Sequence, residues 1–178
     1  MIKDKFELRK YATTKRNKMF ENGQIKVISD LIVSKILNSS EFKNAKNIAL
    51  YYPIKSEADI TKIMKIRNKN FYLPRCKNME IEFVKYDSNL NLIKGCYGIY
   101  EPTGKAIKPE ILDLIYIPAL MANSKGYRLG WGKGYYDRFF TKNKISAKKI
   151  IVIGNEFISD NFVEDENDYK CDMVLCEK

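Results

Sequence analysis

The chain has 178 residues, 45% of them hydrophobic and 30% charged, which is enough for one domain with a packed core and short for two. Its 32 Lys and Arg against 22 Asp and Glu leave a net charge of +10, which favours anionic partners without choosing between RNA and a small polyanion. Histidine is absent, so Ser-His-Asp catalysis, Cys-His catalysis and every imidazole metal site are excluded.

Along the chain, Ile2 to Lys18 reads as a helix with Phe6, Leu8, Tyr11 and Ala12 among its apolar positions. A second helix spans Gln24 to Leu37, where Ile25, Ile28, Leu31, Ile32 and Ile36 recur at near-helical spacing. Asn47 to Tyr52 reads as a strand stopped by Pro53, and Asp59 is placed to cap a helix running to Asn68. Phe71 to Leu73 is a short strand ended by Pro74, Met79 to Tyr86 is another, and Gly95 to Pro109 is loop. Leu112 to Ile117 is apolar except for Asp113, as suits a sheet covered on both faces. A helix from Gly134 to Asn143, a strand from Lys149 to Ile153 and a last short strand from Met173 to Cys176 complete the order. Strands alternate with helices, so the expected fold is α/β: one domain over 1–178 with an open, mainly parallel sheet, helices on both faces and a Rossmann-like three-layer arrangement.

No apolar run approaches a membrane span, and Met1 to Lys10 carries charge throughout, so a cytoplasmic protein with no membrane partner is expected. No nucleic-acid module or zinc-finger spacing occurs, so no dedicated nucleic-acid partner is expected. Cys76, Cys96, Cys171 and Cys176 lack the close paired spacing of a zinc or disulfide framework and read as reduced thiols.

The densest chemistry lies in Gly126-Tyr-Arg-Leu-Gly-Trp-Gly-Lys-Gly-Tyr-Tyr-Asp-Arg138, at the start of the fourth expected helix. Glycines let backbone amides approach a ligand, and a following helix N-terminus favours phosphate. Arg128, Lys133 and Arg138 add positive charge, and Asp137 can face a divalent cation or pair with a loop cation. The competing reading is a set of tight turns. Neither the P-loop pattern nor the dinucleotide fingerprint fits, because Gly134 stands where a hydroxyl is needed and the last clear strand ends far upstream at Pro118.

The segment 126–138 resembles throughout the signature Gly-x-Arg-Leu-Gly-x-Gly-x-Gly-Tyr-Tyr-Asp-Arg of the 5-formyltetrahydrofolate cyclo-ligase family, also called 5,10-methenyltetrahydrofolate synthetases. Lys5-Phe-Glu-Leu-Arg9, Tyr52-Pro-Ile-Lys-Ser-Glu57, Phe71-Tyr-Leu-Pro-Arg75, Tyr97-Gly-Ile-Tyr-Glu-Pro102 and Asp113 to Pro118 resemble further family segments in order, so the likeness covers nearly the full length. Departures are Ala119 after Pro118, Ala122-Asn123 for an aromatic and aspartate, Tyr97 for tryptophan, and Asn167-Asp168 for His-Asp.

The resemblance implies ATP-dependent closure of 5-formyltetrahydrofolate to 5,10-methenyltetrahydrofolate, with Mg²⁺ as cofactor and ATP as co-substrate. Arg128 and Lys133 are the expected catalytic cations. ATP would lie against Lys5, Arg9 and residues Arg128, Leu129, Gly130, Trp131, Gly132, Lys133, Gly134, Tyr135 and Tyr136, with Asp137 on the metal. Tyr52, Glu57 and Arg75 are the expected folate contacts, Arg75 for the glutamate tail of a substrate that can be polyglutamylated; a monomer is expected. Without the resemblance Lys5 and Arg9 are a solvated basic face and Glu57 a helix-start carboxylate. The rival functions are an idle relative that binds RNA or protein, and an ATP-dependent transferase acting on another small molecule.

Overall fold

The computed structural model describes residues 4–89 and 92–178, so the expected helix start at Ile2 lies outside the described residues. Helix α1 runs Lys5–Glu21, three residues beyond the expected end, and begins where the Asp4 side chain accepts the Phe6 N–H. Gly23, at φ 80°, turns the chain into α2, Gln24–Asn38. The inward face of α2 carries Ile25, Ile28, Ile32, Val33 and Ile36, and each fully buried aliphatic side chain stabilises by about 1.5–3 kcal/mol. A short helix not expected from the sequence follows, α3 over Ser40–Asn44; Ser39 caps it and Phe42 anchors it.

The main sheet holds β1 (Asn47–Ala49), β2 (Asn70–Lys77), β3 (Glu80–Lys85), β6 (Leu114–Pro118), β9 (Lys148–Val152) and β10 (Met173–Leu175) in the order β10-β9-β6-β1-β2-β3. All neighbours are parallel except β2 and β3. Two hairpins stand apart from it: β4 (Ile93–Lys94) with β5 (Tyr100–Glu101), and β7 (Met121–Ala122) with β8 (Arg128–Leu129). Helix α4, Tyr135–Lys142, packs on β3, with Phe139 against Phe83 at 5.3 Å.

Both faces of the sheet are covered, and two adjacent side chains of β9 demonstrate it. Successive strand residues point to opposite faces. The Lys148 ammonium reaches Glu41 of α3 at 2.7 Å, whereas that of Lys149 lies over Phe140 of α4 at 5.9 Å. The doubly wound α/β expectation therefore holds.

Several boundaries differ from the sequence reading. Pro74 does not end β2. The Tyr72 carbonyl accepts the Leu50 N–H on the β1 side while the Phe71 carbonyl accepts the Tyr86 N–H on the β3 side, so by alternation Pro74 faces the side where β1 has already stopped. Its missing N–H leaves no partner unpaired. The helix expected from Asp59 to Asn68 is a single 3₁₀ turn, Thr61–Lys65, although Asp59 does accept the Thr61 N–H at 2.8 Å. Residues 50–52 continue β1's path without belonging to its ladder.

Candidate active site

The strand following β1 in sequence lies on one side of it, whereas β6 lies on the other. In open α/β sheets ligands bind at such a switch point, beyond the carboxyl ends of the strands. A cleft of about 1110 Å³ opens there, reached by Tyr51 and Tyr52 after β1, Pro74 and Cys76 of β2, and Pro118 of β6. Residues 128–138 form its wall.

That wall is built by a short hairpin and held by the C-terminal segment. Buried Asn123 accepts the Tyr127 N–H at 2.9 Å through its side chain, which closes the β7–β8 turn. Gly126 has φ 92°, and an added Cβ would stand 2.6 Å from the Cys171 carbonyl, whose own amide donates to Gly126 O at 2.9 Å. Only glycine fits there. Strand β8 then delivers Arg128 and Leu129 immediately before Gly130, so a strand does precede the loop, contrary to the sequence reading. Gly134, at φ 63°, opens α4.

Among the described residues no backbone amide from Gly130 to Asp137 donates to a protein acceptor. A run of unpaired N–H groups ending at a helix N-terminus has the geometry that receives an anion such as phosphate.

The cations stand around it. Arg128, with 6% of its side chain exposed, donates to Asp137 Oδ1 at 2.9 Å and lies over the Tyr136 ring at 5.2 Å. Its Nε is buried with no acceptor among the described residues. Arg9 donates from Nε to Gly130 O at 2.9 Å, so the first helix is fastened to the loop. Lys133 is exposed and makes no ion pair among the described residues. Lys5 is held at 2.6 Å by both Asp165 and Asp168; burial works against its charge, but these two bonds outweigh it and keep its pKa above the ordinary lysine value.

At the other end sits Glu57, 6% exposed. Its carboxylate accepts from the Ile54 N–H at 3.1 Å and from Trp131 Nε1 at 3.4 Å. Desolvation raises its pKa, against the opposing pull of Arg16 and these donors. Trp131 itself is 47% exposed, an apolar plate beside that carboxylate. Tyr52 pairs with Tyr100 at 5.4 Å, and Tyr135 meets Tyr97 across the mouth with hydroxyls 3.3 Å apart.

The structure thus brings every expected nucleotide, metal and folate residue to one cleft except Arg75. Pro74 and Cys76 face the cleft, so alternation turns Arg75 to the opposite face of β2, where it binds Glu82 and donates to Gly104 O at 3.0 Å. The tail-binding role expected for Arg75 is withdrawn. Sequence reasoning missed Arg16, only 3% exposed, which donates to Ser56 O at 2.9 Å and to Ala119 O and stabilises the Glu57 charge. A signal existed: Lys5, Arg9, Ala12 and Arg16 fall on one helical face.

For a metal, Asp137 Oδ1 is taken by Arg128 and, at 3.3 Å, by the Tyr169 N–H, while Oδ2 has no hydrogen-bond partner among the described residues. One free carboxylate oxygen beside a phosphate cradle fits Mg²⁺, which is commonly held by one or two carboxylates together with substrate phosphates and water.

Residues 1–177 match the 5-formyltetrahydrofolate cyclo-ligase family. The chain belongs to that family. It is 31% identical over 142 residues to the 5-formyltetrahydrofolate cyclo-ligase of Mycoplasma genitalium, covering 74% of this chain and 72% of that one. Against the Haemophilus influenzae cyclo-ligase the figures are 32% over 127 residues, 66% and 67%. Among solved structures, the Aquifex aeolicus 5,10-methenyltetrahydrofolate synthetase superimposes with a TM-score of 0.85 at 34% identity, over 98% of this chain and 90% of that one. The Mycoplasma pneumoniae synthetase gives 0.79 at 26% identity, over 99% and 100%. ATP-dependent conversion of 5-formyltetrahydrofolate to 5,10-methenyltetrahydrofolate is the activity that defines the family. Among the described residues no helix is long and apolar enough to cross a membrane.

Proposed function

We propose that the switch-point cleft holds ATP and 5-formyltetrahydrofolate together and transfers the γ-phosphoryl group to the formyl oxygen. The formamide carbonyl is a poor electrophile; phosphorylation turns it into an imidoyl phosphate. N10 then attacks the formyl carbon, the C–O bond to phosphate breaks, and methenyltetrahydrofolate, ADP and phosphate leave. Such a reaction needs in-line positioning and charge neutralisation rather than a side-chain nucleophile, which suits a chain without histidine.

The observation that carries this reading is the unpaired run of amides from Gly130 to Asp137 with Arg128 beside it. These amides cradle the phosphates. Arg128, whose orphaned Nε–H marks a donor still short of an acceptor, and Lys133, free of any ion pair among the described residues, stabilise charge on the transferring group. Arg9 and Lys5 approach the nucleotide from α1, and Arg9 also fixes the loop. Asp137 would hold Mg²⁺, which when bound supplies charge neutralisation across the phosphate oxygens. Glu57, Trp131 and Tyr52 receive the pterin: the carboxylate meets ring N–H groups and the aromatic faces cover the ring. The folate glutamate tail, single or extended, is an anion that the net charge of +10 attracts. We read residues 1–178 as one catalytic domain acting as a cytoplasmic monomer.

The decisive assay mixes folded protein, Mg-ATP and 5-formyltetrahydrofolate and follows methenyl absorbance. Absence of product rejects the proposal; product formation with the expected ADP stoichiometry supports it.

A further inference from the structure

Cys76 on β2, Cys96 in the turn between β4 and β5, and Glu101 on β5 are up to 25 residues apart in sequence, yet their ligand atoms all lie within 4.8 Å of one another. We propose that these three side chains, of which Cys76 and Glu101 line the edge of the same cleft, form a binding site for one thiophilic divalent cation of the zinc class, distinct from the magnesium position at Asp137.

Four observations carry it. Glu101 is only 5% exposed and makes no ion pair among the described residues, so its negative charge lacks a counter-ion. Its Oε1 accepts the N–H groups of both Cys76, at 3.2 Å, and Cys96, at 3.3 Å. The backbones that bear the two sulfurs therefore orient the third ligand, which is the outer-shell support of a metal site. Gly95 is required by the same packing, because a Cβ there would overlap the Glu101 carboxylate. Finally, Tyr97 holds φ 60° directly after Cys96, an unfavourable conformation for a residue with a Cβ that fixes the direction of the turn.

The geometry matches the ion. Zn–S bonds of about 2.3 Å and Zn–O bonds of about 2.0–2.2 Å put tetrahedral ligand atoms roughly 3.5–3.8 Å apart, a small contraction from the separations present. Two sulfurs select zinc, cadmium or cobalt over magnesium. Cys96 is exposed, so the fourth position opens to water. Thiols must lose their protons to bind a metal, so uptake at this site releases protons.

The test is titration of reduced, full-length protein with Co²⁺ in the absence of oxygen. One Co²⁺ per chain should give a thiolate-to-cobalt charge-transfer band that Zn²⁺ displaces and Mg²⁺ does not. Affinity should climb as pH rises, because binding releases thiol protons. Cys96→Ser, at an exposed position that leaves the fold intact, should lower affinity by more than the roughly 10–100-fold that outer-shell changes cost. Cys171→Ser and Cys176→Ser should leave it unchanged. A band that survives Cys96→Ser, no band at all, or a chain that forms only a Cys76–Cys96 disulfide and takes up no cobalt after reduction overturns the proposal.

Discussion

Arg128→Ala separates folding from chemistry. In the native chain its guanidinium is 2.9 Å from Asp137, with side chains 6% and 18% exposed. Stripping one partner from a buried pair costs about 3–5 kcal/mol, and the partial solvation of Asp137 puts this one near the lower end. The substitution also deletes the orphaned Nε–H, and an unsatisfied buried donor is worth about 1–3 kcal/mol in the other direction. The net loss of stability should then be at most about 2 kcal/mol. Turnover should fall much further, by about 10²–10³, the scale for removing one preorganised charge-stabilising donor. Denaturant midpoints and initial rates of methenyl formation measure the two effects independently. Adding Asp137→Asn removes the stranded carboxylate and should restore much of the stability while leaving turnover low. If Arg128→Ala works within about threefold of the parent, or the double variant regains its rate, Arg128 is only a structural partner of Asp137.

Lys133→Ala should cost about tenfold in kcat/KM for ATP, roughly 1.4 kcal/mol, yet shift stability by less than about 0.5 kcal/mol, since this exposed lysine makes no ion pair among the described residues; a large drop in Tm would contradict that placement. Gly126→Ala should destabilise by at least about 1–2 kcal/mol from φ alone, with the 2.6 Å approach to Cys171 O adding to it, and a neutral melt would refute the described turn. The Lys148 ammonium, helped by backbone and Ser40 donors, lowers the Glu41 pKa from 4.5 to about 2. That bond stabilises the fold fully above pH 4.5 and is lost as pH falls through about 2; the drop sets a ceiling of about 3 kcal/mol, which solvent around side chains 21% and 42% exposed cuts to about 1 kcal/mol. Glu41→Gln should therefore lose about 1 kcal/mol at pH 7 and progressively less as pH falls towards 2, and identical urea midpoints at pH 7 would dismiss the pair.

Periodicity disclosed α2 almost to the residue, because five aliphatic side chains share one stripe. It failed at β2, where a proline looked like a stop; whether proline ends a strand depends on which neighbour its amide would face, and that neighbour is 25 residues away. The loop 126–138 was legible because its chemistry is contiguous. Arg75 was misplaced because adjacent residues of a strand point apart, and a motif read as letters carries no face. Arg16 and the Cys76–Cys96–Glu101 cluster escaped because tertiary folding alone gives them their partners.

The segment 165–171 braces the loop from behind and lends Asp165, Asn167 and Asp168 to the cleft wall. It anchors Lys5 through Asp165 and Asp168, offers the Tyr169 amide to Asp137, and donates the Cys171 N–H to the Gly126 carbonyl. If residues 130–137 hold a triphosphate as proposed, a chain stripped of 165–171 would keep the whole signature yet lose the contacts that fix Lys5, Asp137 and Gly126 around it.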